Sequence, residues 1–162
     1  MTGPNIGAIR KMEEDFGHEL QHMQCLLHTL ELPYQAIMIH FDGTTSGPTS
    51  FEGPIGKMLQ TDVWKLKVFS FKPIQGPDLN IPDDVVKKLS RDLQLLVRLY
   101  DIVKTGNVEL DVVVSVIGPL FHARWNTNCA HCLRYYISCS KPTAALQKIV
   151  TFIMEVYVPS WV

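Results

Sequence analysis

The sequence predicts an α+β domain, an antiparallel sheet covered by helices, with an amphipathic helix at its N-terminus. Three observations lead there. Apolar residues recur at helical spacing in two segments, 6–31 and 83–105; several short segments are rich in β-branched and aromatic residues; and the regular β-α-β alternation of a parallel sheet is missing. Size agrees, since 162 residues fit one domain and a composition of 46% apolar and 19% charged residues is that of a globular chain.

In the first helical segment Ile6, Ile9, Met12, Phe16, Leu20, Met23, Leu27 and Leu30 recur every three or four positions. Gly17 permits a break inside it, and Pro33 is placed just beyond its end. The run 34–41 reads as a strand. The Gly/Ser/Thr-rich stretch that follows reads as a loop. The chain thus divides into an N-terminal helix-and-strand segment (1–41), a flexible loop (42–61) and an α+β core (62–162), one domain in all.

Within the core, 62–71 alternates as a strand with Trp64, Leu66 and Val68 on one face and Lys65, Lys67, Phe69 and Phe71 on the other. The second helical segment starts at Pro82-Asp83-Asp84, carries a stripe from Val85 to Val103, and stops at Gly106. Residues 108–117 read as a strand buried on both faces toward its end, and 133–139 as another strand. Ala144-Ala145-Leu146-Gln147 reads as a helical turn, and 149–158 as strand-like with helix as the alternative.

Several function classes are excluded or narrowed by motif. Neither a dinucleotide-binding glycine pattern nor a phosphate-binding P-loop occurs, and no nucleophilic-serine elbow is present. No apolar run approaches the about 20 residues needed to span a bilayer. The start lacks a signal-peptide pattern, and Thr2 stands where N-myristoylation needs glycine, so the expectation is an intracellular chain with reduced thiols. Charge is divided. Residues 1–56 carry two basic and seven acidic side chains, residues 57–162 thirteen basic and nine acidic. That asymmetry suits an acidic partner for the C-terminal portion.

Two constellations could carry metal chemistry. His18-Glu19-Leu20-Gln21-His22 is an H-E-x-x-H string: histidines four apart share a helical face and can hold zinc, with the glutamate as general base. The string resembles the metzincin peptidase signature, and that resemblance implies His18, His22 and His28 as ligands and Glu19 as base. Cys25 stands where that family has glycine, which leaves open a structural zinc on His18, His22 and Cys25, and the plain reading of a surface helix with incidental histidines. The second constellation is Cys129-Ala130-His131-Cys132 with His122 and Cys139 nearby; one C-x-x-C without a second pair reads either as a zinc site on Cys129 and Cys132 or as buried free thiols. The expectation is no cofactor and no enzymatic activity, with a zinc metallopeptidase as the alternative. Aromatic and helix-turn-helix patterns for sequence-specific nucleic-acid binding are missing.

From residue 62 onward the order of features resembles the core of rhabdovirus matrix proteins. The residues concerned are Trp64-Lys65-Leu66-Lys67-Val68, the helix through Leu96-Val97-Arg98-Leu99-Tyr100-Asp101-Ile102-Val103-Lys104-Thr105-Gly106, and Val112-Val113-Val114-Ser115-Val116-Ile117-Gly118. The resemblance implies a non-enzymatic viral structural protein found in host cytoplasm and virion. Such a protein self-associates and bridges the viral nucleoprotein to a peripheral anionic membrane surface. It implies Lys87, Lys88 and Arg91 as contacts for that surface. A host-interaction module is the other non-enzymatic alternative.

Overall fold

A computed structural model describes residues 8–17, 26–47, 49–120 and 125–161, with backbone alone for 8–10 and 26–30. The fold is α+β: about 60% of it is helical, joined by one two-stranded antiparallel sheet. Along the chain run α1 (Ala8–Phe16), α2 (Leu26–Asp42), β1 (Thr45–Gly47), β2 (Ser50–Phe51), α3 (Pro54–Leu59) and a 3-10 turn (Val63–Lys65). Then come α4 (Asp83–Val86), α5 (Arg91–Thr105), α6 (Leu110–Val113), α7 (Trp125–Tyr136) and α8 (Ala144–Phe152), which continues through a π-turn (Ile153–Tyr157) and a 3-10 turn (Val158–Ser160).

The core is built on α7 and α5. Every residue of α7 except Tyr135 is buried, as expected of a helix enclosed on all sides. α5 lies along it with Leu96, Leu99, Tyr100, Ile102 and Val103 inward, while α2 packs on α8 through the Tyr34, Ile37, Met38 and Phe41 stripe. The expected stop at Gly106 holds: it adopts φ 78° and its N–H reaches the Ile102 carbonyl at 2.8 Å. The 83–105 segment is nevertheless two helices, because Ser90 caps a fresh start at α5 by accepting from Leu93 N–H. Likewise Thr143 caps α8, which extends the predicted turn at 144–147 by more than one further turn.

The strands sit elsewhere than the sequence places them. Residues 34–41 belong to α2, which runs through Pro33; the lost hydrogen bond and ring clash cost about 3 kcal/mol, outweighed by burying Tyr34 and Met38 completely. Residues 133–139 complete and follow α7. Cys129, Cys132, Leu133 and Tyr136 keep its helical spacing once the helix is followed from Trp125. Residues 149–158 are helical, the alternative that the composition left open. Segment 108–117 holds only the single turn of α6, and 62–71 becomes the 3-10 turn and an extended segment without ladder partners. The only strands among the described residues, β1 and β2, lie within 42–61, the stretch read as a flexible loop. Asp42 organises this region. Its carboxylate accepts from Ile55 N–H at 2.8 Å and Gly56 N–H at 2.6 Å, tying the end of α2 to the start of α3. Finally, α1 ends at Gly17 (φ 70°) and α2 begins at Leu26, so the single helix expected over 6–31 is two.

Candidate functional site

The sequence offered three sets of site residues, and the fold treats them differently. His18, His22 and Cys25 lie outside the described residues, as does His122; His28 is on α2. Among the described residues no group of three or more His, Cys, Asp or Glu is gathered as a metal would require.

Cys129 and Cys132 are fully buried, one helical turn apart on α7, against the ring of Tyr34. Burial pushes both thiols far above the ordinary range, so they sit in the core as neutral, unreactive groups. Polar partners nearby are internal. Tyr34 donates to Asn128 Oδ1 at 2.7 Å and Tyr157 to Asn126 Oδ1 at 2.9 Å, which joins α2 and the C-terminal turns to α7. Their role is to satisfy buried polar atoms.

His131, between the two cysteines, is 3% exposed and meets the Trp64 ring edge-on at 5.8 Å. Its Nε2 is 3.1 Å from the Gly118 carbonyl, which assigns the proton to Nε2. The Leu59 carbonyl also favours a charged ring, yet Nδ1 has no hydrogen-bond partner among the described residues. Burial is the larger effect and pulls the imidazole below its ordinary value. A group depressed in this way is neutral in the fold but takes up a proton when unfolded. Stability is therefore retained above about pH 6.5 and lost as pH falls below it. Urea midpoints at about pH 7.5 and about pH 5 check this: the wild type should lose more stability between them than His131→Gln. An equal loss in both would place the acid sensitivity elsewhere.

Lys87 and Lys88 occupy the turn between α4 and α5, Arg91 is the first residue of α5, and all three are exposed. Gln94 fixes the turn by donating to the Leu89 carbonyl at 2.8 Å. Lys88 is engaged with Asp84 at 3.1 Å, an exposed i,i+4 pair worth little by itself. Arg91 shares a cleft of about 300 Å3 with Arg98, Ser115 and Val116. Arg98 in turn binds Glu109 and Asp111, at 2.6 and 2.7 Å. Those contacts raise the guanidinium and hold the Asp111 carboxyl below the usual range.

Beside this charged cluster lies a surface that the sequence reading buried. Leu110 is 78% exposed, Val116 72% and Val114 69%, with Val108 also uncovered. Their β-branched run reads as a core strand because propensity alone does not distinguish a buried from an exposed aliphatic residue. The acidic neighbours Glu109 and Asp111, which pin α6 to Arg98, are the only sequence signal that the segment lies at the surface. What the arrangement offers is a charge cluster engaged in ion pairs beside uncovered aliphatic side chains, a surface for contact. No family model, no curated protein and no solved structure matches this chain.

Proposed function

We propose that this chain is a non-enzymatic assembly protein of matrix type, which self-associates and bridges a nucleocapsid to the inner face of an anionic membrane, in host cytoplasm and virion. The observation that carries this reading is the uncovered aliphatic group Val108, Leu110, Val114 and Val116 next to Arg91. Contiguous exposed apolar side chains are unfavourable in water and are retained where something covers them. A second copy suits the position, because Glu109 and Asp111, which flank Leu110 in the chain, are already paired with Arg98 and put polar groups beside the apolar ones, as at an interface edge. No described helix is long and apolar enough to cross a bilayer, so contact with a membrane would be peripheral, through Lys87, Lys88 and Arg91.

Concentration-dependent sedimentation tests the self-association. Leu110→Glu is expected to weaken it by about tenfold or more while leaving the melting temperature nearly unchanged, since the side chain is uncovered in the monomer. A strictly monomeric wild type would remove the reading. Membrane contact is checked by cosedimentation with phosphatidylserine vesicles, which should fall with rising salt and with Lys87→Glu combined with Arg91→Glu. Salt-independent binding would place the contact elsewhere.

A further inference from the structure

A second charged surface is formed by residues other than those around Leu110, and four of its five lysines have no ion-pair partner among the described residues. A cleft of about 390 Å3 opens between the extended segment after the 3-10 turn and the corner joining α7 to α8. Phe71 and Lys72 line one wall; Tyr136, Ser140, Gln147 and Thr151 line the other. The stretches that form these walls, 63–77 and 137–154, contain five lysines and no aspartate or glutamate, in a chain whose net charge is −1. Lys67, Lys72, Lys141 and Lys148 are all exposed, and none has an ion-pair partner among the described residues. Lys65, in the first of these stretches, holds Asp62, and outside them Lys88, Arg98 and Lys104 each hold a carboxylate. Asp62, Asp78 and Glu155 stand immediately beyond the ends of these stretches, and Asp62 and Asp78 are engaged by Lys65 and Lys104.

We propose that this cleft receives an acidic peptide segment in extended conformation, laid along residues 67–74. Charge supplies the first reason. Lys72 lines the cleft and Lys67, Lys141 and Lys148 are exposed on the stretches that form its walls, a basic setting that favours a partner with several carboxylates. Backbone supplies the second. Residues 67–82 run without helix, turn or bend, and in 67–72 only Phe69 N–H and the Lys72 carbonyl are engaged, by Ile137 O at 3.1 Å and Tyr136 OH at 2.7 Å. The main-chain groups of Val68 and Ser70 have no such partner among the described residues, which leaves them open to pairing with an added strand. Side chains supply the third, because the rings of Phe71 and Tyr136 line the cleft and give it apolar surface beside Lys72. A single-stranded nucleic acid fits less well: the Lys67 ammonium already covers the Phe69 ring at 5.8 Å, where a base would stack. Lysines also supply point charges in place of the guanidinium forks that grip phosphates in two-pronged fashion. This site is separate from the surface around Leu110 and does not depend on self-association.

Fluorescence anisotropy on the full chain decides it, with a labelled peptide alternating glutamate and valine as the probe. Saturable binding is expected, weakened about tenfold or more by Lys72→Glu with Lys141→Glu and by rising salt, and unchanged by Lys57→Glu on α3. The same peptide with alternate backbone nitrogens methylated should bind more weakly, since it cannot complete the main-chain pairing. Equal binding of the glutamine-for-glutamate peptide overturns the proposal. So does a tighter grip on a uridylate oligonucleotide or on phosphatidylserine vesicles that the double variant abolishes, because either would assign the cleft to a different partner. Vesicle binding that survives the double variant but fails with Lys87→Glu and Arg91→Glu leaves this proposal intact and belongs to the other surface.

Discussion

Arg134→Leu is expected to lower the unfolding free energy by about 3 kcal/mol or more, among the largest losses available to a single substitution in this fold. Arg134 is 1% exposed, in the middle of the core, and has no carboxylate beside it. Its guanidinium is instead shared among main-chain acceptors: the Val113 carbonyl at 3.2 Å, the Trp64 carbonyl at 3.2 Å and the Leu66 carbonyl at 2.7 Å, with Ser138 Oγ as a fourth. Three pieces of chain that lack regular partners, the 3-10 turn, the start of the extended segment and the residues of α6, are held to α7 through this one side chain. Removing it strands the buried Val113 carbonyl and the part-buried carbonyls of Trp64 and Leu66, each costing about 1–3 kcal/mol where water cannot reach it. Burial lowers the guanidinium's pKa, yet an arginine keeps its charge, so the cation is tolerated for the acceptors it satisfies. Urea unfolding followed by circular dichroism measures the loss. Arg134→Lys should recover only part of it, since an ammonium cannot reach acceptors on opposite sides at once. A loss below about 1 kcal/mol for the leucine variant would mean that the cost of burying the charge nearly cancels its hydrogen bonds.

Arg134 also shows where sequence reasoning stops. The features it identified correctly are local ones, in which the cause lies within a few residues of the effect. Gly106 ends α5 because glycine adopts a left-handed φ freely, and Asp83-Asp84 follows Pro82 into α4 because proline and acidic groups suit a helix start. The misplaced strands have the opposite cause. In 133–139, Tyr135, Tyr136 and Ile137 carry strand propensity, but six of these seven residues continue or follow a helix nucleated at Trp125, and burial on every side of α7 overrides propensity. Nor does any local pattern foretell that carbonyls of residues 64 and 66 meet an arginine about seventy positions later. The surface was legible in part. Lys65, Lys67, Phe69 and Phe71 were read as one face of a strand, but Lys65 ends the 3-10 turn, and on the extended segment that follows Lys67 and Phe69 are exposed. Of those four, Phe71 turns inward onto Tyr136, in a T-shaped contact at 6.1 Å between ring centroids. The exposed group at Leu110 was not legible, because aliphatic residues in sequence look the same whether they face a core or a partner.

Gly53→Ala is the second large effect expected, and its cause is space rather than backbone freedom. Gly53 adopts φ −77° and ψ 161°, which any residue accepts. A methyl group there would nevertheless lie 1.6 Å from the Asp42 carbonyl oxygen and 2.4 Å from the Asp42 carboxyl carbon. Neither neighbour can yield cheaply. The oxygen belongs to the last residue of α2, and the carboxylate is held by Ile55 and Gly56 N–H, so relief requires α3 to move away and lose both charge-assisted bonds. Overpacking and the lost bonds together are expected to cost about 3 kcal/mol or more, read as a fall in urea midpoint. Gly47→Ala is the internal control: nothing lies within 4 Å of the added methyl, and the change should stay within about 0.5 kcal/mol although it sits in the same hairpin region. Asp42→Ala separates the two components, because it removes the bonds and the carboxyl clash while keeping the carbonyl clash. If Gly53→Ala costs no more in the wild type than in the Asp42→Ala background, the backbone carbonyl alone sets the distance between α2 and α3. A larger penalty in the wild type means that the carboxylate holds the two helices at the separation only glycine allows.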